Sequence, residues 1–190
     1  MLCTLVMLEV LCALCGLAAV FRINSEIMTG EKLKIIRDVH QLFIEKGLRL
    51  SAAESCTGGL ISHYLTWLSG SGKFFDSGVV TYSVSSKENI LGISSETIAS
   101  HGVVSSETAK EMAEKMRLLS GTDYALSTTG NLGPDVLEGK ERGLIYAGIS
   151  KEGKTIIKEL RLTGDRIQNK EEAALSSLRF LIDELSKQKQ

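Results

Sequence analysis

Apolar residues recur every three to four positions between Glu31 and Lys46. Ile35, Ile36, Val39, Leu42 and Phe43 make one stripe, which predicts an amphipathic helix stopped by Gly47. Leu48–Ala53 then reads as a short strand. Glu54-Ser-Cys-Thr-Gly-Gly59 reads as a turn opening a second helix, with Leu60, Ile61, Tyr64, Leu65 and Leu68 on one face and Gly70-Ser71-Gly72 at its end. The β-branched run Val79–Ser83 predicts a second strand, followed by short helical pieces at Lys87–Leu91 and Ser95–Ser100. The tetrapeptide Ser-Ser-Glu-Thr occurs at Ser94–Thr97 and again at Ser105–Thr108, and each copy predicts a helix start. The second leads into a helix carrying Ala109, Met112, Ala113, Met116 and Leu119 on its core face. Further strands are expected at Tyr124–Thr128, Leu144–Ser150 and Thr155–Leu162, the last two joined by a hairpin turn at Lys151–Lys154. Gly164-Asp165-Arg166 opens a final helix with Ala174, Leu178, Leu181 and Leu185 inward. Helices alternate with strands early and a strand pair comes late. The expected fold class is therefore α/β, a three-layer domain with a mixed sheet covered by helices on both faces.

The chain has 190 residues, 43% hydrophobic and 24% charged, enough apolar mass for one core. Net charge is −1, the 22 basic residues are scattered, and only 5% of residues are aromatic. Neither a basic stripe nor a stacking platform is present, so no nucleic-acid partner is expected. Residues 1–30 stand apart as an apolar N-terminal extension to a domain spanning 31–190. The first 21 residues carry one charge, Glu9, and are long enough to cross a bilayer. They read as a membrane anchor or, preferred here, as the product of a start assigned too early, with Met28 the true beginning. Cys3, Cys12 and Cys15 lie in this run and only Cys56 in the domain, so no disulfide framework is expected and a reducing, cytoplasmic location is. The Cys12–Cys15 pair follows no strand and reads as apolar filler rather than a redox motif.

Three glycine-bearing turns lie at strand or helix ends, Ser55–Gly59, Thr128–Gly133 and Gly164–Arg166. Such turns bring backbone N–H groups to an anion, and Arg166 adds a guanidinium that can hold phosphate bidentately. Taken singly, each glycine is better explained by a tight turn. Neither nucleotide-binding glycine fingerprint occurs. His40, His63 and His101 are too dispersed for a metal site; the first two are expected to face solvent from helices, and His101-Gly102 to end one. Tyr82 and Lys87, just past a strand end, can point into one pocket, where a tyrosine positions a proton and a lysine serves as a base only if buried; on spacing alone a solvated Lys87 is the preferred reading.

Read together, Ala53-Glu-Ser-Cys-Thr-Gly-Gly59, Gly78-Val-Val-Thr-Tyr-Ser83, Lys87, Leu91-Gly92, His101-Gly-Val-Val-Ser105, Ser127-Thr-Thr-Gly130, Gly133-Pro134 and Gly164-Asp-Arg166 resemble, in order, the C-terminal domain of the CinA (competence/damage-inducible) proteins. The resemblance covers about Lys32 to Lys187. It implies an amidohydrolase that converts nicotinamide mononucleotide to nicotinate mononucleotide and ammonia without metal or cofactor. It further implies a serine nucleophile in a Gly-Ser-Ser turn, ten residues before Tyr82 and fifteen before Lys87. That position is Gly72, so the catalytic set becomes Lys87, Tyr82 and the neighbouring Ser71 or a water. Substrate contacts fall on Thr129, Gly130, Arg166, Ser55, Thr57 and Gly58. Asn131-Leu132 and Glu141-Arg142 depart from the family pattern beside the pocket. Full-length relatives carry a larger N-terminal domain, whereas about 30 residues precede the matched region in this sequence.

Two readings follow. One is an active amidase on a linear-type carboxamide of a pyridine mononucleotide; the other is a weak or inactive binding module of the same fold, which Gly72 favours. A homo-oligomer is compatible with both. A membrane partner is expected only if residues 1–21 form an anchor.

Overall fold

The structure, a computed structural model, describes residues 30–187. The apolar run, the Cys12–Cys15 pair and Met28 lie outside the described residues. By its internal contacts the chain divides into Met1–Lys34 and Ile35–Gln190, and the second unit holds the whole sheet. Among the described residues no helix is long and apolar enough to cross a membrane.

In chain order the elements are α1 (Gly30–Lys46), β1 (Leu50–Glu54), α2 (Leu60–Leu65), a 3₁₀ turn (Ser71–Lys73), β2 (Phe75–Val80) and α3 (Val84–Ser86), which runs into a π-helical turn at Lys87–Leu91. Then come α4 (Ser95–His101), α5 (Ser106–Ser120), β3 (Tyr124–Gly130), β4 (Leu144–Lys151), β5 (Lys154–Arg161) and α6 (Arg166–Ser186). The sheet order is β2-β1-β3-β4-β5. β1 pairs parallel with β2 and β3, while β3–β4 and β4–β5 are antiparallel. This is the mixed sheet the pattern predicts.

On one face α5 buries Met112 and Met116 against Ala53 and Ala125. Elsewhere Ala173 of α6 packs with Ile145 and Leu160. Phe43 of α1 packs edge-on to Tyr124, ring centroids 5.8 Å apart. β1 is buried along its full length because layers cover both faces. The two repeated tetrapeptides do start helices: Ser94 Oγ accepts the Glu96 amide and Ser105 Oγ the Thr108 amide. Asp165 and Gln168 form a reciprocal capping box on α6.

Four details differ from the sequence pattern. β2 covers Phe75–Val80 instead of Val79–Ser83, because an edge strand alternating between half-buried and exposed positions tolerates the polar Asp76-Ser77-Gly78. Thr81–Ser83 leave the strand, and Ser83 caps α3 by accepting the Ser86 amide. Leu119 is 61% exposed, since the stripe of Ala109, Met112 and Met116 continues to Ser120, whose hydroxyl reaches Ser51 at 3.0 Å. His40 is buried rather than solvent-facing, with Nε2 2.9 Å from the Leu65 carbonyl and its ring edge-on to Phe74.

The topology sets where a ligand can sit. From β1 the chain steps to β2 on one side and then returns to β3 on the other. The carboxyl end of β1 is thus a topological switch point, where the flanking loops diverge and leave a crevice.

Candidate functional site

Glu54, the last residue of β1, is fully buried. One carboxylate oxygen accepts the Thr57 hydroxyl (2.7 Å) and the Gly59 and Ile61 amides (3.0 Å each). The other accepts the Ser62 amide (2.8 Å) and hydroxyl (2.7 Å). One side chain therefore ties the 55–59 turn and the start of α2 to the strand end. Ser55 is held from the other side, its amide donating to the Thr128 carbonyl at 3.0 Å.

Lys87 comes from the opposite direction. The Thr81 amide donates to the Glu54 carbonyl at 2.8 Å, which keeps the end of β2 beside β1. Lys87 opens the π-helical turn, is 1% exposed, and sends Nζ back to Ser55 Oγ (2.9 Å), the Thr81 carbonyl (2.8 Å) and the Tyr82 carbonyl (3.4 Å). Burial pulls the amine down to about 8, with Cys56 opposing the change. The two carbonyls only accept. A neutral amine facing them spends its two N–H bonds there, and its lone pair is left for the Ser55 hydroxyl. The adjacent Cys56 thiol is pushed up to about 12 by burial, so it stays protonated near neutral pH and is no nucleophile.

A cavity of about 190 Å³ opens beside this pair, lined among others by Cys56, Tyr82, Gly130, Leu132, Asp135 and Arg166. Arg166, the first residue of α6, donates to the Gly133 carbonyl (2.7 Å) and the Tyr82 hydroxyl (2.9 Å). Guanidinium and phenol thus form a joint polar rim. Tyr82, Gly130 and Arg166 line the cavity; Ser55 and Lys87 do not, but Ser55 precedes the lining residue Cys56 and Lys87 Nζ lies 2.9 Å from the Ser55 hydroxyl.

Other expected site residues have internal duties. Thr129 is buried and its hydroxyl donates to the Val103 carbonyl at 2.6 Å, bracing the strand end. Thr57 is committed to Glu54 and lies 2.8 Å from the Thr128 hydroxyl. Gly58 is exposed in a left-handed conformation at φ 56° and does not line the cavity. Gly130 would be required without any ligand: a Cβ there would come 2.5 Å from the Leu144 carbonyl oxygen. Asn131, a departure from the family pattern, holds the following loop through the Leu137 and Lys140 backbone.

Ser71 is not brought to Lys87. Its hydroxyl donates to the Leu68 carbonyl at 2.6 Å, in the turn that precedes β2, whereas Lys87 lies beyond the other end of that strand. Six strand residues at about 3.3 Å each put roughly 20 Å between the two ends. Gly72 shares that turn, so within one chain neither position can present a hydroxyl to Lys87. The hydroxyl that Lys87 meets is that of Ser55, read from sequence as a substrate contact only. Asn131 and Leu132, expected beside the pocket, line the cavity, as do Asp135 and Leu137, which the sequence reading does not name and which only their place after a strand end signals. Among the described residues no three His, Cys, Asp or Glu side chains gather as a metal site would require.

Fold and site together define a mixed-sheet α/β domain with a buried Ser–Lys pair at the sheet's switch point. Residues 32–185 match the CinA C-terminal domain, and the chain belongs to that family. It is 41% identical over 160 residues to a protein of Thermoanaerobacter pseudethanolicus named as a competence-damage inducible protein, covering 84% of this chain and 37% of the relative. A CinA-like protein of Chloroherpeton thalassium is 39% identical over 170 residues, covering 85% and 40%. The chain thus spans about two fifths of the length of these relatives. Among solved structures it is similar to a competence-damaged protein (CinA) superfamily protein of Klebsiella pneumoniae, with TM-score 0.80 and 31% identity, covering 82% of this chain and 98% of that one. The competence/damage inducible protein CihA of Agrobacterium tumefaciens gives TM-score 0.79 and 33% identity, covering 83% and 97%.

Proposed function

We propose that this domain is a cytoplasmic amidohydrolase that cleaves the carboxamide of a pyridine mononucleotide, nicotinamide mononucleotide, with Ser55 as nucleophile and Lys87 as general base. The observation that carries this is the Lys87 amine bounded by two carbonyls and the Ser55 hydroxyl. Neutral Lys87 takes the Ser55 proton as Oγ adds to the carboxamide carbon. The new oxyanion is met by turn amides beginning with that of Cys56, the residue after the nucleophile. Lys87 then returns the proton to the departing nitrogen, ammonia leaves, and an ester to Ser55 remains. Water, deprotonated by the same amine, hydrolyses the ester to the carboxylate and frees Ser55. The chemistry needs neither metal nor cofactor. At the rim Arg166, oriented by Tyr82, binds the phosphate.

The test is ammonia release from nicotinamide mononucleotide by the full chain; no release above buffer between about pH 6 and pH 10 overturns the reading. The pH profile follows from Lys87. Its amine is the active form and exists above its pKa of about 8. The rate constant kcat/KM is expected to rise about tenfold per pH unit below 8 and to level off above it. A profile falling through that range would remove Lys87 as base. Arg166→Gln is expected to raise KM about 10- to 100-fold with little change in kcat, because the phosphate contact is the same in ground and transition states. A fall in kcat alone would place Arg166 at the reacting carbon instead.

A further inference from the structure

A second groove, of about 520 Å³, lies between α5 and the β4–β5 turn. It is at the opposite end of the sheet from Ser55. Lys151, on its wall, pairs with Tyr124 where β3 begins, while the catalytic cavity forms where Gly130 ends that strand. Seven residues of strand, roughly 20 Å, separate the two.

The lining carries four cations, Lys110 and Arg117 from α5 and Lys151 and Lys154 from the hairpin, against one carboxylate, Glu114. Glu114 lies 4.0 Å from Lys110 and accepts the Thr155 hydroxyl at 2.8 Å. Lys110 also borders a neighbouring groove with Glu107 and Glu111, so its charge is balanced locally. Arg117, Lys151 and Lys154 have no carboxylate partner among the described residues. In addition, Nε of Arg117 is buried and meets no acceptor among the described residues. Leaving such a donor unmet is unfavourable, and three unneutralised cations around one concavity repel each other. Both costs are relieved by a multiply charged anion.

The lining says which kind. A single orthophosphate is far smaller than the groove, whose volume falls in the range of small-metabolite sites. Among the described residues no aromatic ring lines it, so they offer no stacking platform for a base and recognition is of phosphate. Arg117 supplies a planar fork and the two lysines supply mobile point charges, which together match two linked phosphates. We propose that this groove is a second binding site, separate from the amidase cavity, for the diphosphate group of a small phosphorylated metabolite such as a nucleoside diphosphate.

The test is calorimetric titration of the full chain with ADP and with inorganic pyrophosphate at about 50 mM salt, where screening is modest. One binding event is expected for each. It is expected to weaken at least tenfold in Lys151→Gln/Lys154→Gln and in Arg117→Gln, and to persist in Arg166→Gln. Ammonia release by Lys151→Gln/Lys154→Gln is expected to equal that of the parent. The lysine pair sits on a surface hairpin, so it gives a reading even if Arg117→Gln does not fold. Equal affinity for ADP and pyrophosphate supports a pure phosphate site, and tighter ADP supports a nucleotide site. Absence of binding up to about 1 mM overturns the proposal. Binding lost in Arg166→Gln but kept in the lysine pair overturns it too, since the anion would then occupy the amidase cavity.

Discussion

Ser55→Ala is expected to lower kcat for ammonia release by about 10³-fold or more, while KM for the mononucleotide changes little. The hydroxyl 2.9 Å from the Lys87 amine is then gone, and no other hydroxyl in that turn is available, because Thr57 is tied to Glu54. Lys87→Met is expected to fall equally far, and the double variant no further, as for two groups acting in one step. Ser71→Ala and Gly72→Ser are expected to stay within about twofold of the parent, since both positions lie a strand length away. Gly72→Ser is a clean control: its Cβ meets nothing within 4 Å and the backbone there is not left-handed. A large gain in Gly72→Ser, or a near-normal Ser55→Ala, would remove Ser55 as nucleophile.

Lys87→Met has a second readout. The folded amine has its pKa lowered from 10.5 to about 8, so between those values the unfolded chain binds more protons than the folded one. Stability of the parent is then expected to rise with pH from about 8 to about 10.5. Below that window the buried charge costs up to about 3 kcal/mol, offset in part by the hydrogen bonds to the Thr81 and Tyr82 carbonyls. The inactive methionine variant is expected to have the higher Tm at pH 7, with the gap narrowing towards pH 10.5. A lower Tm at pH 7 would mean that the hydrogen bonds outweigh the burial of charge.

Much of this fold is legible in the chain because its signals are local. The stripe from Ile35 to Phe43, the serines at 94 and 105 and the Asp165 cap each act within about two turns of helix. β2 is less legible, since an edge strand needs only half its positions covered and Asp76-Ser77-Gly78 resembles a turn. The site divides in the same way. Tyr82, Lys87 and Arg166 stand out as polar groups at element ends. The pairing of Ser55 with Lys87 spans 32 positions and exists only because β1 and β2 run parallel, so both deliver their following loops to one end of the sheet. Counting residues back along the chain from Tyr82 leads instead to Gly72, which the intervening strand carries to the other end.

Glu54→Ala is expected to produce the largest loss of stability among single changes around the site, about 3–5 kcal/mol. Five donors converge on this buried carboxylate, three amides and two hydroxyls, and truncation leaves the Gly59, Ile61 and Ser62 amides without their acceptor. No single nearby group can replace it, because the donors come from both the turn and α2 while the acceptor belongs to β1. For a domain of this size the change corresponds to a fall in Tm of about 10 °C. Glu54→Gln is expected to lose about half as much. Its NH₂ can face the Ser62 hydroxyl, which rotates to accept, so that only the Ser62 amide is opposed. Because Ser55 is the next residue, both variants are also expected to lose activity at temperatures where they remain folded, about tenfold or more for the alanine. Circular dichroism melting paired with ammonia release well below the midpoint separates the two effects. An alanine variant as stable as the parent would show that the 55–62 segment is held by its packing alone, and one destabilised yet fully active would show that Ser55 is positioned by Lys87 and Thr128 without help from this carboxylate.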